Sequence, residues 1–219
     1  MSSSPPGARP ICPSLQINSF RKADRGAARI IEDDSVELSN LNRCMLFLRS
    51  HLDAAKAAEL ARCATDAFSI KPIKALYTAD TAPQVAPLAN SVFVGVDDIA
   101  ARWEVQRAWP KWLGIGATTH SSAMAPYHTS KTSCAGCAHP TNEQGGAPIA
   151  TVAFVSFWAG LWQATYYLRH LASDRFLGRD QHIYFTPSRP ENPWQGVIQR
   201  RADCPLQCEA TFLPAQARR

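Results

Sequence analysis

Glycine is sparse, 11 residues in 219, and nowhere does it fall in the spacing G-x-G-x-x-G. That spacing lets a strand–loop–helix turn bring backbone N–H groups against a pyrophosphate. Gly7 stands alone, and Gly26 comes before the first apolar run instead of after it. The lack weighs against a nicotinamide-dependent oxidoreductase. It also leaves nucleotide phosphates without a backbone cradle. No block of lysine and arginine is present either. The net charge is +5 and the pI near 8.9. A mildly basic surface suits a phosphate ligand or an acidic partner, and gives no ground for nucleic-acid binding. The opening MSSSPPGARPICPS holds no apolar core long enough for a secretory signal.

Disulfide logic is missing as well. Seven cysteines, an odd number, stand at Cys12, Cys44, Cys63, Cys134, Cys137, Cys204 and Cys208. With no secretory signal and a C-x-x-C pair, they point to reduced thiols and metal binding in a cytoplasmic protein. Hydrophobic residues make up 46% and charged residues 19%, enough for a sizeable core in one domain. Residues 1–22 are rich in Ser and Pro and read as an irregular leader, 23–210 as the folded domain and 211–219 as a tail. Ile149–Leu168 carries no formal charge over about twenty residues and has the length of a membrane span. Ser156, Gln163 and Thr165 interrupt it, so a buried helix is expected and no membrane contact.

The remaining pattern alternates. Residues 27–32 read as a strand, 51–67 as an Ala-rich helix, and Ile70–Tyr77 as the next strand. Ser91–Val96 is a continuous apolar run closing on Asp97 and Asp98, the pattern of a buried parallel strand delivering a carboxylate to a crevice. A helix over Ile99–Trp109 and a strand over Trp112–Ala117 follow. Residues 121–133 read as a hairpin or loop, about 149–171 as the apolar helix, and His182–Thr186 and Trp194–Arg201 as the last strands. The fold class is α/β: a Rossmann-like, mostly parallel sheet with a metal-stapled C-terminal part.

The chemistry concentrates in EDDSVELSNLNRCMLFLRSHLDAAK, residues 32–56. Acids end a strand, a polar loop with one arginine follows, and a lysine sits beyond. Such a set can serve a nucleotide, with the acid on ribose hydroxyls and the amide and cations on phosphate oxygens. It also fits a plain strand, polar loop and solvated helix. EDDSVELSNLNR resembles the D-x-D-x-V-E-x-S-N-L-x-R signature of the ThiF/MoeB/HesA family. These adenylyltransferases activate ubiquitin-like proteins.

The resemblance spans roughly residues 23–210 and implies roles for particular positions. Glu32 stands where the family has an aspartate on the ribose. Asn40 and Arg43 match its phosphate-contacting pair, Lys56 its phosphate lysine and Asp97 its magnesium ligand. Arg102 matches a frequent family arginine of structural character. The family's opening strand, glycine loop and early arginine have no counterpart; Arg21 and Arg25 are only nearby.

The pairs Cys134–Cys137 and Cys204–Cys208 form C-x-x-C and C-x-x-x-C. Four thiolates in two pairs are a structural zinc set. The family carries two such pairs, normally both C-x-x-C. His120, His128 and His139 lie close enough in sequence to substitute as ligands, but loop polarity is the better reading of them. The loop HPTNEQGGAP has no cysteine, so a thioester step is not expected, or falls to a partner. The resemblance thus implies ATP, Mg²⁺ and Zn²⁺, a ubiquitin-like or sulfur-carrier protein as substrate, and a homodimer. The rival expectation is a truncated, inactive relative serving as a zinc-bearing scaffold.

Overall fold

A computed structural model describes residues 16–18, 26–142, 151–173, 181–187, 189, 191 and 193–208. Most of the leader, the whole tail, Cys12, Arg21 and Arg25 lie outside the described residues.

The first sheet has the order β1 (Gln16–Asn18), β2 (Gly26–Ile31), β3 (Phe68–Ile73). In β2 (Gly26–Ile31) the buried residues alternate, and Ala28 and Ile30 face inward. Ile30 meets Val36, Phe47, Ala57 and Leu60 in one apolar cluster. β2 pairs in parallel with β3 (Phe68–Ile73), Ala28 opposite Ile70. The sequence reading put no strand ahead of residue 27. The structure adds β1 (Gln16–Asn18), antiparallel to β2 and lying against β4 (Ser91–Val94).

Between β2 and β3 the expected helix over 51–67 shrinks to α1 (Lys56–Ala61). A single 3-10 turn occupies Arg49–His51, Asp53 takes φ 67 and Ala55 is extended. Alanine-rich propensity is a weak prior, and the chain is bent back here to meet the end of β2.

β4 pairs in parallel with β5 (Trp112–Ile115), Val92 opposite Leu113. The short α2 (Ala82–Val85) precedes β4, and α3 (Ile99–Arg107) joins β4 to β5. Val92, Val94, Val105, Leu113, Ile115 and Ala135 form the core between them. A third sheet has the order β10–β9–β7–β6, with β6 (Ala117–Thr118), β7 (Ala123–Met124), β9 (His182–Phe185) and β10 (Trp194–Gly196). β8 (Tyr127–His128) pairs antiparallel with β5.

The α/β class therefore stands, and the expectation of a mostly parallel sheet is corrected. Among the described residues only β2–β3 and β4–β5 are parallel. Two-residue strands joined by tight turns, such as the one closed by the Thr119 amide on the Ser122 carbonyl at 2.8 Å, can pair only antiparallel.

The uncharged segment forms α5 (Ala153–Leu171). One face is buried through Val155, Ala159, Gln163, Tyr166 and Tyr167. The other leaves Phe154, Phe157, Leu161 and Leu168 exposed, Leu168 by 62%. The helix is thus half-buried and not enclosed. Among the described residues no helix is long and apolar enough to cross a membrane.

Candidate functional site

β2 ends at Ile31 and the chain turns through three acids. The Asp34 amide donates to Glu32 Oε1 at 3.1 Å, closing the turn. Glu32 is half-buried, and burial pushes its carboxyl above the usual range; the Asp34 amide and the Lys56 ammonium work against that shift. Asp33 and Asp34 are exposed.

Lys56 opens α1 and is tied back to this turn. Its backbone amide donates to the Asp34 carbonyl at 2.9 Å, and its ammonium sits 2.5 Å from Asp34 Oδ2. The connecting loop is shaped by Asn40, which is buried. Asn40 Oδ1 accepts the Glu37 amide at 3.0 Å, and the Asn40 carbonyl accepts the Arg43 and Cys44 amides at 3.1 and 2.8 Å. Arg43 donates from Nη1 to the Ser39 carbonyl at 3.3 Å. Burial pushes the Cys44 thiol up, while Arg43 and Lys56 pull it down and Glu32 adds to the rise. Lys56 thus acts on both Glu32 and Cys44, and Arg43 on its neighbour Cys44.

Asp97 belongs to a different group. It is exposed beyond the end of β4, beside Asp98. Asp98 Oδ1 accepts the Ala101 amide at 2.9 Å and so caps α3. Arg102 is buried and donates from Nε and Nη2 to the Val96 carbonyl. No direct bond links Asp97 to Lys56 or Arg43 among the described residues. Sequence reasoning missed two partners. Asp34 as the mate of Lys56 had no local signal, since 22 positions separate them. Asp98 as a cap did: an aspartate directly before a helix is a start signal.

The four paired cysteines meet. Their sulfurs all lie within 4.8 Å of one another and all four residues are buried. Cys134 Sγ is 3.8 Å from Cys137 Sγ and 3.4 Å from Cys204 Sγ, and Cys137 Sγ is 3.4 Å from Cys208 Sγ. These are far beyond the ~2.05 Å of a disulfide. They approach the edge of about 3.8 Å set by four Zn–S bonds of ~2.3 Å in a tetrahedron. The donor set thus fits zinc.

Cys134 and Cys137 flank and enter α4 (Ala135–Ala138). The extra residue in the second pair is absorbed by Gln207, which takes φ 48, in the left-handed region. Gly136 allows a close approach: a Cβ there would lie 3.0 Å from Leu206 Cγ and 3.1 Å from Cys204 Sγ, tighter than ordinary contact. Burial pushes the Cys134 thiol far up and the Cys208 thiol up to about 12. Burial pushes the Cys204 thiol up, but hydrogen bonds from the Cys208 and Leu206 amides and the Cys134 and Cys137 thiols together bring it below its ordinary value.

Two of the histidines considered as substitutes are engaged elsewhere. His128 Nδ1 lies 2.8 Å from the Ser133 carbonyl, and His139 Nε2 lies 3.3 Å from Arg102 Nη1. Cys63 follows α1 and is half-buried.

A profile of the ThiF family matches residues 18–204. This chain belongs to the ThiF family. No curated protein matches its sequence. Solved structures with a similar fold include E. coli MccB with ATP, at 18% identity and TM-score 0.68 over 82% of this chain and 58% of that one. The Microcin C7 biosynthetic enzyme MccB in complex with N-formylated MccA gives 18% identity and TM-score 0.69 over 83% and 60%. PaaA gives 10% identity and TM-score 0.63 over 79% and 65%. This ThiF-family chain spans less than two thirds of each of those proteins.

Proposed function

We propose that this ThiF-family chain is an ATP-dependent adenylyltransferase acting on the C-terminal carboxylate of a peptide or carrier protein, of the ubiquitin-like or sulfur-carrier kind. The observation that carries the reading is the return of Lys56 to the end of β2, where its amide and ammonium bond Asp34 beside Glu32, across a loop shaped by Asn40 that carries Arg43. MccB structures holding ATP and N-formylated MccA support the same substrate classes.

In the reaction a carboxylate oxygen of the substrate attacks the α-phosphorus of ATP. The bond from that phosphorus to the β-bridging oxygen breaks, pyrophosphate leaves and an acyl-adenylate remains. Charge builds on phosphate oxygens, so positioning and fixed cations carry the catalysis. Glu32 holds ribose hydroxyls. Arg43, Lys56 and the side-chain NH₂ of Asn40 face the phosphates.

Asp97 holds Mg²⁺, which when bound neutralises phosphate charge. Cys134, Cys137, Cys204 and Cys208 hold a structural Zn²⁺ outside the chemistry. No thioester step is included, since the loop of residues 139–148 has no cysteine. A cytoplasmic homodimer completes the reading, and the exposed apolar face of α5 supports pairing.

The test is ATP–pyrophosphate exchange by the zinc-replete protein with candidate carriers and peptides, beside Asp97→Ala. Exchange that is lost in the variant bears the reading out. No exchange together with no ATP binding refutes it.

A further inference from the structure

α3 stands between the end of β4 and the cysteine cluster and touches both. On one side the Arg102 guanidinium, only 6% exposed, donates from Nε and Nη2 to the Val96 carbonyl at 3.0 and 2.8 Å. Val96 immediately precedes Asp97. On the other side Arg102 Nη1 is 3.3 Å from Nε2 of His139, the residue that closes α4. Two bonds run alongside. Trp103 Nε1 donates to the His139 carbonyl at 3.0 Å, and the Ala135 amide donates to Gln106 Oε1 at 3.0 Å. Trp103 and Trp109 pack against the cluster of Cys134, Cys137, Cys204 and Cys208.

The turn itself has little packing of its own. Gly95, Val96, Asp97 and Asp98 are all exposed. A buried guanidinium is unfavourable unless its donors are used. Here they are spent on the backbone of one turn and one imidazole, not on a carboxylate. Burial draws the Arg102 pKa down, and Asp97 and Asp98 hold it up, so both acids lie close to this cation.

We infer that Arg102 is a positioning residue that fixes the Val96 carbonyl, and with it the direction in which Asp97 leaves β4, against the helix bearing the first cysteine pair. The role assigned to Asp97 rests on the adenylation reading; the mechanical link does not. A chain whose cysteine cluster is empty presents Asp97 from a looser turn.

Two measurements separate this from plain packing. Hydrogen–deuterium exchange is followed in peptides covering residues 93–103 of the zinc-loaded full chain, its Arg102→Met and Arg102→Lys variants, and the wild type after chelation. Exchange there rises about tenfold in Arg102→Met and in chelated wild type, and stays near wild type in Arg102→Lys. Unchanged protection in Arg102→Met overturns the inference, whatever the enzymatic activity. If Arg102→Met does not fold, the chelated wild type decides on the same criterion.

The second measurement is the Mg²⁺ dependence of ATP–pyrophosphate exchange. Arg102→Met needs about tenfold more Mg²⁺ for half-maximal rate, while the rate at saturating Mg²⁺ returns to within a few-fold of wild type. A lower rate with an unchanged Mg²⁺ requirement overturns the positioning role. A wild type without any exchange refutes the adenylation reading alone, and the deuterium measurement still decides whether Arg102 holds the turn.

Discussion

Lys56 is bonded twice to Asp34, once through its backbone amide at 2.9 Å and once through its ammonium at 2.5 Å. The side chain assigned to phosphate is thus already engaged by a carboxylate. On the proposed reading, ATP competes with Asp34 for it.

Removing that competitor has a defined outcome. Asp34→Asn lowers the ATP concentration for half-maximal exchange several-fold, because the ammonium is released to the phosphates. The stability change stays below about 1 kcal/mol, since Asp34 is largely exposed and surface pairs contribute little. Lys56→Met has the opposite effect and lowers exchange on the order of 100-fold, the usual loss for one transition-state donor. Steady-state exchange kinetics and urea melts check both. An unchanged ATP requirement in Asp34→Asn would mean the ion pair plays no part in nucleotide binding.

The cysteine cluster gives a second prediction. The zinc-loaded chain carries one metal ion. Cys208→Ala loses tight binding and several kcal/mol of stability, a fall in Tm on the order of 10 °C. Cys63→Ala, outside the cluster, changes neither. Metal release to a chelator followed with a colorimetric indicator reads the first effect and calorimetry the second. Retention of one tightly held ion in Cys208→Ala removes Cys208 from the ligand set.

Gly136 tests the packing beneath that cluster. Gly136→Ala places a methyl 3.0–3.2 Å from Leu206, Cys204 and Pro205. Such overpacking costs about 1–3 kcal/mol. Zinc is surrendered to chelator faster as well, because the Cys204 sulfur must move. A variant with wild-type stability and metal off-rate shows that the 204–208 loop shifts freely.

Acid should unfold the chain through its buried imidazoles. Burial lowers His128 to about 4 and His182 to about 4 from an ordinary 6.5; burial, with Arg102 nearby, lowers His139 to about 3. These groups bind protons more readily when unfolded. Their contribution is therefore complete above pH 6.5 and declines as pH falls toward 4. For His128, wholly buried, the loss is on the order of 3 kcal/mol. Denaturant midpoints between pH 7.5 and 4.5 check the slope. His128→Asn, compared with wild type, takes up about one proton fewer on unfolding. An identical pH slope in that variant contradicts the assignment.

Much of this was readable before any coordinates. The strand expected over Ser91–Val96 ends at Val94, the one expected over Trp112–Ala117 ends at Ile115, and the helix expected over 99–109 ends at Arg107. Periodicity and length suffice for such elements, because burial on both faces leaves few alternatives. The sulfur cluster was legible from the paired cysteines.

What stayed hidden depends on contacts distant in sequence. The 51–67 helix was shortened because Asp53 turns left-handed and returns Lys56 to Asp34. The antiparallel sheet escaped notice because strands of two residues have no period to read. In α5 an uncharged sequence suggested full enclosure, yet Phe154 and Leu168 are more than half exposed. Arg102 and His139 are 37 positions apart, and nothing local marks them as neighbours.

The two halves of the sulfur cluster are also separated in time. Cys134 and Cys204 are 70 positions apart, and Cys137 and Cys208 are 71. At translation rates of about 5–20 residues per second, roughly 4–14 s pass between the emergence of the first pair and that of the second. Throughout that interval the nascent chain offers zinc only a two-thiol hook. Ring closure must therefore wait for the second pair, and a ribosome stalled anywhere between Cys137 and Cys204 displays two unprotected sulfurs to the cell's oxidants.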